Sequence, residues 1–76
     1  STLDPIATAT IERLMTALAR ERPVVVVTHS MQQARRVASH VAYLLLGELV
    51  EAGPTARVFE APRDPRTADY VGGRFG

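Results

Sequence analysis

The chain has 76 residues, of which 46% are hydrophobic, and it carries a net charge of +1. This length allows at most one small domain, because so short a chain buries only about 60% of its unfolded surface. There is no cysteine, which excludes a disulfide framework and a thiolate metal site. Acidic and basic residues are interspersed, so the charge pattern gives no sign of a nucleic acid partner. No apolar run approaches the roughly 20 residues that a membrane-spanning helix needs.

The first predicted element is a helix from Pro5 to about Arg20. Asp4 is a favoured N-cap residue, and a proline at the first helical position has its φ angle already set. Apolar residues recur at helical spacing and give this helix one apolar face: Ile11, Leu14, Met15 and Leu18. The Glu21-Arg22-Pro23 sequence is expected to end the helix.

Four consecutive valines, Val24 to Val27, come next. A β-branched run without polar alternation predicts a strand covered on both faces, as in a parallel sheet flanked by helices. Thr28 and His29 follow where this strand should end. Because such a strand cannot form a sheet alone, we expect most of the sheet to be missing from the chain.

A second helix is predicted from its N-terminal signal. Ser30-Met31-Gln32-Gln33 has the spacing of a capping box, with Ser30 as N-cap and the Gln33 side chain reaching back to it. The helical stripe of apolar residues continues to Val41, which places His40 near the end of this helix.

A β-hairpin is predicted after the second helix. Residues 42–46 and 48–52 read as two short strands that turn at Gly47. Glu48 and Glu51 lie on the second strand, and we interpret them as surface charges rather than as a pair of catalytic carboxylates.

Two short helices are predicted at the end of the chain. Thr55 is expected to cap a helix that continues through Phe59 and is stopped by Pro62. Asp64-Pro65 repeats the opening cap and starts a last helix that continues to about Val71. The predicted fold class is therefore α/β, with one buried strand of the parallel type, flanking helices and a short β-hairpin.

His29 is the candidate functional residue that the pattern singles out. In open α/β sheets, ligands bind at the carboxyl ends of the strands. His29 lies at such an end, directly before a predicted helix. A histidine N–H beside the N–H groups of a helix N-terminus is suited to an anionic oxygen such as that of a phosphate.

Two segments resemble a known family of nucleotide hydrolases. Ser1-Thr2-Leu3-Asp4 resembles the D-loop of ABC-type ATPases, and residues 24–29 resemble the strand that carries their switch histidine. By this resemblance, His29 contacts the γ-phosphate of ATP. The same resemblance places the D-loop residues Ser1, Thr2, Leu3 and Asp4 at the interface between two ATPase subunits.

The resemblance covers essentially the whole chain, and four stretches are similar to bacterial phosphate importers in particular: Thr28 to Ala34, Arg36-Val37, Leu46 to Glu51 and Asp69 to Gly76. The Gly-Arg-Phe-Gly ending is the most telling, since amino-acid importers share the Thr-His-x-Met pattern but usually lack this ending. Two positions depart from the family pattern. Ser30 stands where Asn is usual, and His40 stands where an Asp is frequent.

The resemblance implies that residues 1–76 are the C-terminal segment of a P-loop (ABC-type) ATPase domain and not a complete domain. A phosphate-binding loop needs a lysine, whereas all 9 lysine and arginine residues here are arginines. The family's catalytic Glu and Mg²⁺-binding Asp precede the D-loop. We therefore expect the segment alone to hold no metal and neither to bind nor to hydrolyse ATP.

The complete subunit implied by the resemblance binds ATP and Mg²⁺ and pairs with a second copy of itself. It would dock on membrane permease subunits at the cytoplasmic face of the cell membrane, and no nucleic acid partner is expected.

Two other interpretations remain open. The chain could be a non-catalytic α/β interaction module, or a segment of a soluble ABC ATPase of DNA repair or translation. Asp4 could be only a helix cap, and a lone His29 could be structural, although its order after Asp4 and the valines favours a functional role. Arg35 and Arg36 are interpreted as a solvated helix face rather than as nucleic acid contacts.

Overall fold

A computed structural model describes residues 4–73. Its helices and strands, in chain order, are α1 (Pro5–Ala19), α2 (Met31–Val37), β1 (His40–Leu45), β2 (Glu48–Pro54), α3 (Thr55–Glu60) and α4 (Pro65–Val71). Within these residues the two strands form one antiparallel sheet. The fold is a mixture of helix and strand, which confirms the α/β prediction at this coarse level.

Helix α1 forms where its sequence signals place it. The Asp4 side chain accepts a hydrogen bond from the Ala7 N–H at 2.8 Å, and Pro5 occupies the first helical position. The helix ends at Ala19 with Arg20 as its C-cap, which agrees with the predicted end at about Arg20. Most of its predicted apolar face is exposed, including Leu14 with 58% of its surface accessible. Within the described residues, α1 therefore packs only weakly against the rest of the molecule.

The valine segment, residues 24–27, is not a strand, and the prediction of a buried strand is wrong for this chain. Residues 23–28 have no regular secondary structure, and all four valines are exposed. A strand exists only if its backbone N–H and C=O groups pair with a neighbour. In residues 4–73, β1 and β2 pair with each other, so the valines have no neighbour.

Helix α2 is shorter than predicted. It ends at Val37, and Ala38 leaves the helical conformation with φ −95° and ψ 138°. His40 opens β1 and Val41 lies within it, so the predictions of His40 at a helix end and Val41 on the helical stripe are wrong. Tertiary contacts explain the early end, because Thr55 Oγ1 donates to the Ala38 carbonyl at 2.6 Å.

The predicted hairpin is confirmed, with strands longer than expected. Its two-residue turn is formed by Leu46 and Gly47, with φ angles of 51° and 81°. Positive φ at both positions is typical of the type I′ turn, whose twist matches that of the flanking strands. Glycine adopts this conformation freely, but leucine does not, so the turn stores strain at Leu46.

Helices α3 and α4 begin in different ways. Thr55 was predicted to cap α3, which is wrong: Pro54 holds the cap position and makes no side-chain cap bond. The Thr55 hydroxyl is drawn instead to the Ala38 carbonyl. The predicted Asp64 cap of α4 is confirmed, since its carboxylate accepts from the Arg66 N–H at 2.8 Å.

The described residues enclose a very small core. Val58 of α3 is its one fully buried hydrophobic residue, with 2% of its surface exposed. Tyr43 of β1 and Tyr70 of α4 stack beside it with ring centroids 4.6 Å apart. This core joins α3, α4 and the inner face of the hairpin. The opposite hairpin face exposes the paired residues Leu44 and Leu49.

Candidate functional site

The valine segment leads to His29 with an alternating pattern of exposure. Val25 and Val27 are 92% and 91% exposed. Val24 and Val26 are less so, at 38% and 44%. Such a period of two is typical of residues on a strand, where successive side chains point to opposite faces. The segment therefore has the side-chain alternation of a strand without strand pairing.

His29 lies at the centre of a local turn between this segment and α2. The Ser30 N–H donates to Thr28 Oγ1 at 3.0 Å, so the residues on either side of His29 are hydrogen-bonded to each other. This pattern is a threonine turn, in which a side chain takes the place of a backbone acceptor. The His29 side chain is exposed, and within residues 4–73 it makes no hydrogen bond. The turn restrains the His29 backbone and leaves the ring available to a ligand.

Ser30 is the N-cap of α2, as predicted. Its Oγ accepts a hydrogen bond from the Gln33 N–H at 3.1 Å. The other half of the predicted capping box is wrong, because the Gln33 side chain donates to Glu12 Oε2 at 3.2 Å. The reason is competition: Thr28 already satisfies the Ser30 N–H, and an ionised carboxylate is a strong acceptor for the Gln33 amide.

Glu12 joins α1 to α2 through three hydrogen bonds, an arrangement we call the Glu12 clamp. Arg36 donates from Nε to Oε1 at 2.8 Å and from Nη2 to Oε2 at 2.6 Å. Gln33 supplies the third bond. The Arg36 hydrogen bonds hold the pKa of Glu12 below its ordinary value, and Glu12 in turn raises the pKa of Arg36.

Sequence reasoning missed the Glu12 clamp. One signal was available, because Glu12 lies beside Ile11 and three residues before Met15, at the edge of the predicted apolar face of α1. A carboxylate that becomes buried there needs a charged or hydrogen-bonding partner. Gln33 and Arg36 are three residues apart and so share one face of α2, where they provide such partners.

Asp4 is exposed and acts as the cap of α1. Ser1, Thr2 and Leu3, the other residues of the predicted D-loop, lie outside the described residues. Among residues 4–73, no hydrogen bond or ion pair links Asp4 to His29. The structure therefore does not bring the two predicted site residues into direct contact, and each has a side chain exposed to solvent.

Glu51 is buried, and its interpretation as a surface charge is wrong. Its carboxylate accepts from Arg57 Nη1 at 2.9 Å, from the Arg63 N–H at 2.9 Å and from the Asp64 N–H at 3.0 Å. These bonds, with the Arg63 N–H first, lower the pKa of Glu51 to about 2. The buried Thr67 hydroxyl, which has no partner of ideal hydrogen-bond geometry, contributes to the same effect.

The Glu51 arrangement is structural. Its carboxylate ties β2 to α3 and to the turn that opens α4, and both of its oxygens are engaged. No local sequence signal marks this residue, because its donors lie 6 to 13 residues further along the chain. Glu48, in contrast, is exposed as predicted and pairs with Arg66 at 3.2 Å.

A cavity of about 70 Å³ lies behind the His29 turn. Its lining includes Thr28 and Ser30 from the turn, and Tyr43 and Tyr70 from the stacked pair. Sites for small molecules have volumes of about 300 Å³ or more, so a nucleotide does not fit inside it. A phosphate group that reached His29 would approach from the solvent side.

Residues 4–73 contain no group of three or more His, Asp or Glu side chains that could hold a metal ion. None of the helices in this range combines the length and the hydropathy of a membrane span. No protein-family model matches the chain, and no solved structure matches it.

Proposed function

We propose that this chain is the C-terminal segment of the ATP-hydrolysing subunit of an ABC-type importer, with inorganic phosphate as its cargo. In this proposal His29 is the switch histidine, which contacts the γ-phosphate of ATP. Ser1 to Asp4 form the D-loop at the interface with a second copy of the subunit. The assignment of inorganic phosphate as the cargo is based on the resemblance of the chain's ending to phosphate importers.

One observation carries the proposal. The valine segment has the alternating exposure of a strand, lacks a pairing partner among the described residues, and leads directly to an exposed His29 in a restrained turn. A neighbouring strand from the rest of an ATPase domain would pair with the valines and cover them. His29 would then lie at the carboxyl end of a sheet strand, where α/β proteins bind phosphates.

Exposed apolar surfaces support the same assignment. Ile6 and Leu14 on α1 are 80% and 58% exposed, and the outer hairpin face exposes Leu44 and Leu49. Clustered apolar exposure of this kind marks surfaces that another protein element covers. In the proposed subunit, the remaining sheet and helices of the ATPase domain cover them.

The proposed chemistry assigns this segment one contact among many. Phosphoryl transfer is catalysed mainly by positioning and electrostatic stabilisation. His29 would donate an N–H to the γ-phosphate, while Mg²⁺, the phosphate-binding lysine and the catalytic carboxylate come from the rest of the subunit. The segment alone therefore has no ATPase activity. The assembled importer acts at the cytoplasmic face of the membrane, on permease subunits.

The test compares the two histidines of the chain in the full-length gene product. His29→Ala should lower MgATP turnover by about 100-fold, the effect expected when one donor to transition-state charge is lost. His40→Ala is the matched control, since His40 is exposed and lies on β1. It should keep turnover near the wild-type value, and both variants should melt at the wild-type temperature.

Two results would overturn the proposal. If the full-length wild-type protein has no MgATP turnover, the chain is not part of an ATPase. That result would favour the interpretation as a non-catalytic interaction module. If His29→Ala and His40→Ala hydrolyse ATP equally well, the protein is an ATPase but His29 is not its switch histidine.

A further inference from the structure

The Glu12 clamp uses both oxygens of one carboxylate. Oε1 accepts from Arg36 Nε, and Oε2 accepts from Arg36 Nη2 and from Gln33 Nε2. The two bonds from Arg36 form the parallel fork that makes arginine–carboxylate pairs directional as well as strong. Glu12 itself is only 9% exposed, whereas the Arg36 side chain is 54% exposed, so water reaches the pair from the arginine side.

The clamp restrains the rotation of α2 relative to α1. Gln33 and Arg36 lie on consecutive turns of one helix face, and Glu12 holds that face at both points. Within residues 4–73, all side-chain hydrogen bonds between α1 and α2 go to Glu12. α2 is also held by α3, since Arg35 Cζ lies 5.4 Å from the centroid of the Phe59 ring. The clamp therefore governs the position of α2 relative to α1 in particular.

The clamp is also connected to the His29 turn. The Gln33 N–H is bound by Ser30 Oγ, and the Ser30 N–H is bound by Thr28 Oγ1. A continuous series of hydrogen bonds thus extends from Glu12 through Gln33 and Ser30 to Thr28, on the far side of His29. At the other end, α1 begins at the Asp4 cap.

We propose that Glu12 is a positioning residue, which holds α2 on α1 so that His29 keeps a fixed position relative to the Asp4 end of α1. This inference rests on the proposed function for its catalytic consequence, but not for its geometry. Glu12 touches no nucleotide; it acts through Arg36 and Gln33. Without it, the position of α2 relative to α1 is less restrained, and His29 spends less time where a phosphate can meet it.

The experiment uses the full-length gene product and two readouts. The first is the distance between spin labels at Arg13→Cys on α1 and Gln32→Cys on α2, both exposed positions in a segment without native cysteine. The second is MgATP turnover, with kcat and KM measured separately. The variants are Glu12→Gln, Arg36→Met and the milder Arg36→Lys. The matched control is Glu21→Gln, an exposed carboxylate beyond α1.

We expect Glu12→Gln and Arg36→Met to broaden the label distance distribution and to lower kcat about tenfold or more, with KM for ATP changed less than about twofold. Arg36→Lys keeps the positive charge but loses the two parallel hydrogen bonds to Glu12. Its label distance distribution and its kcat should lie between those of the other two variants and those of the wild type. Glu21→Gln should match the wild type in both readouts.

The two proposals fail in different ways. An unchanged label distribution in Glu12→Gln and Arg36→Met would overturn the positioning role, whatever the turnover. A broadened distribution with unchanged kcat would overturn its catalytic consequence. A wild-type protein without MgATP turnover would overturn the proposed function, and the label distances alone would then decide whether Glu12 orients α2.

Discussion

Replacing Ser30 with alanine removes the one side-chain cap of α2. Ser30 Oγ accepts the Gln33 N–H at 3.1 Å, and α2 has only 7 residues. Helices this short are not stable on their own, so α2 depends on its cap as well as on the tertiary hydrogen bonds to Glu12. Loss of a serine N-cap costs about 1 kcal/mol. Because the Gln33 N–H is exposed, water can replace the lost acceptor, and a larger penalty is not expected.

Amide hydrogen exchange measures this cost locally. A loss of about 1 kcal/mol makes opening of α2 about fivefold more frequent. The exchange of the Ala34 and Ala38 amides, which bond to Ser30 and Ala34 carbonyls within α2, should accelerate by that factor. Ser30→Asn should restore slow exchange, because asparagine is an equally good cap. Gln32→Ala, an exposed position in the same helix, is the control. Equal exchange rates in Ser30→Ala and Gln32→Ala would refute the reasoning.

Two further predictions concern the hairpin. Leu46→Asn should raise the free energy of unfolding by about 1 kcal/mol, because asparagine relieves the backbone strain of a leucine at φ 51°. Leu46→Ala should not raise it. Equal urea midpoints for the two variants would contradict the presence of strain in this turn. The second concerns Glu51, whose folded-state pKa of about 2 lies below the ordinary 4.5. Its ionised form therefore stabilises the fold fully above about pH 4.5, and this contribution is lost as the pH falls towards 2. In urea unfolding, Glu51→Gln should lower the free energy of unfolding at pH 6 and make that free energy depend less on pH between 2 and 4.5. An unchanged pH dependence would mean that the Glu51 carboxylate does not make these stabilising hydrogen bonds.

Elements defined by adjacent residues could be predicted from the sequence. Asp4 and Asp64, each followed by proline, correctly predicted the starts of α1 and α4, because an N-cap and a preset φ angle act within one turn of helix. Gly47 predicted the hairpin turn, since the turn itself requires a positive φ. Ser30 predicted the start of α2, because an N-cap is also a local signal.

Contacts between distant residues could not be predicted in this way. Gln33 was expected to complete a local capping box, but a carboxylate 21 residues earlier binds its side chain. Glu51 looked like an ordinary surface charge on a strand, and only the later chain brings donors to it. The prediction of a strand at the valine segment was wrong for a related reason. The strand preference of the valines is local, but a strand also needs a neighbouring strand to pair with, and the described residues provide none.

The candidate site shows the same division. His29 and its place before α2 followed from the sequence, whereas the Thr28 turn and the Glu12 clamp that restrain its surroundings emerged only from the structure. The Thr28 turn and the Glu12 clamp both depend on which acceptor a donor group binds when several acceptors lie within hydrogen-bond distance. That competition is decided by three-dimensional proximity and charge, which spacing along the chain does not reveal.

Amide exchange at Val25 and Val27 tests most directly whether this chain completes a larger ATPase domain. In the isolated chain, both amides should exchange at nearly the rate of an unfolded peptide, since both residues are more than 90% exposed and unpaired. In the full-length gene product, pairing in a sheet should slow both amides by about two orders of magnitude or more. Protected valines in the isolated chain, or unprotected valines in the full-length protein, would contradict the account.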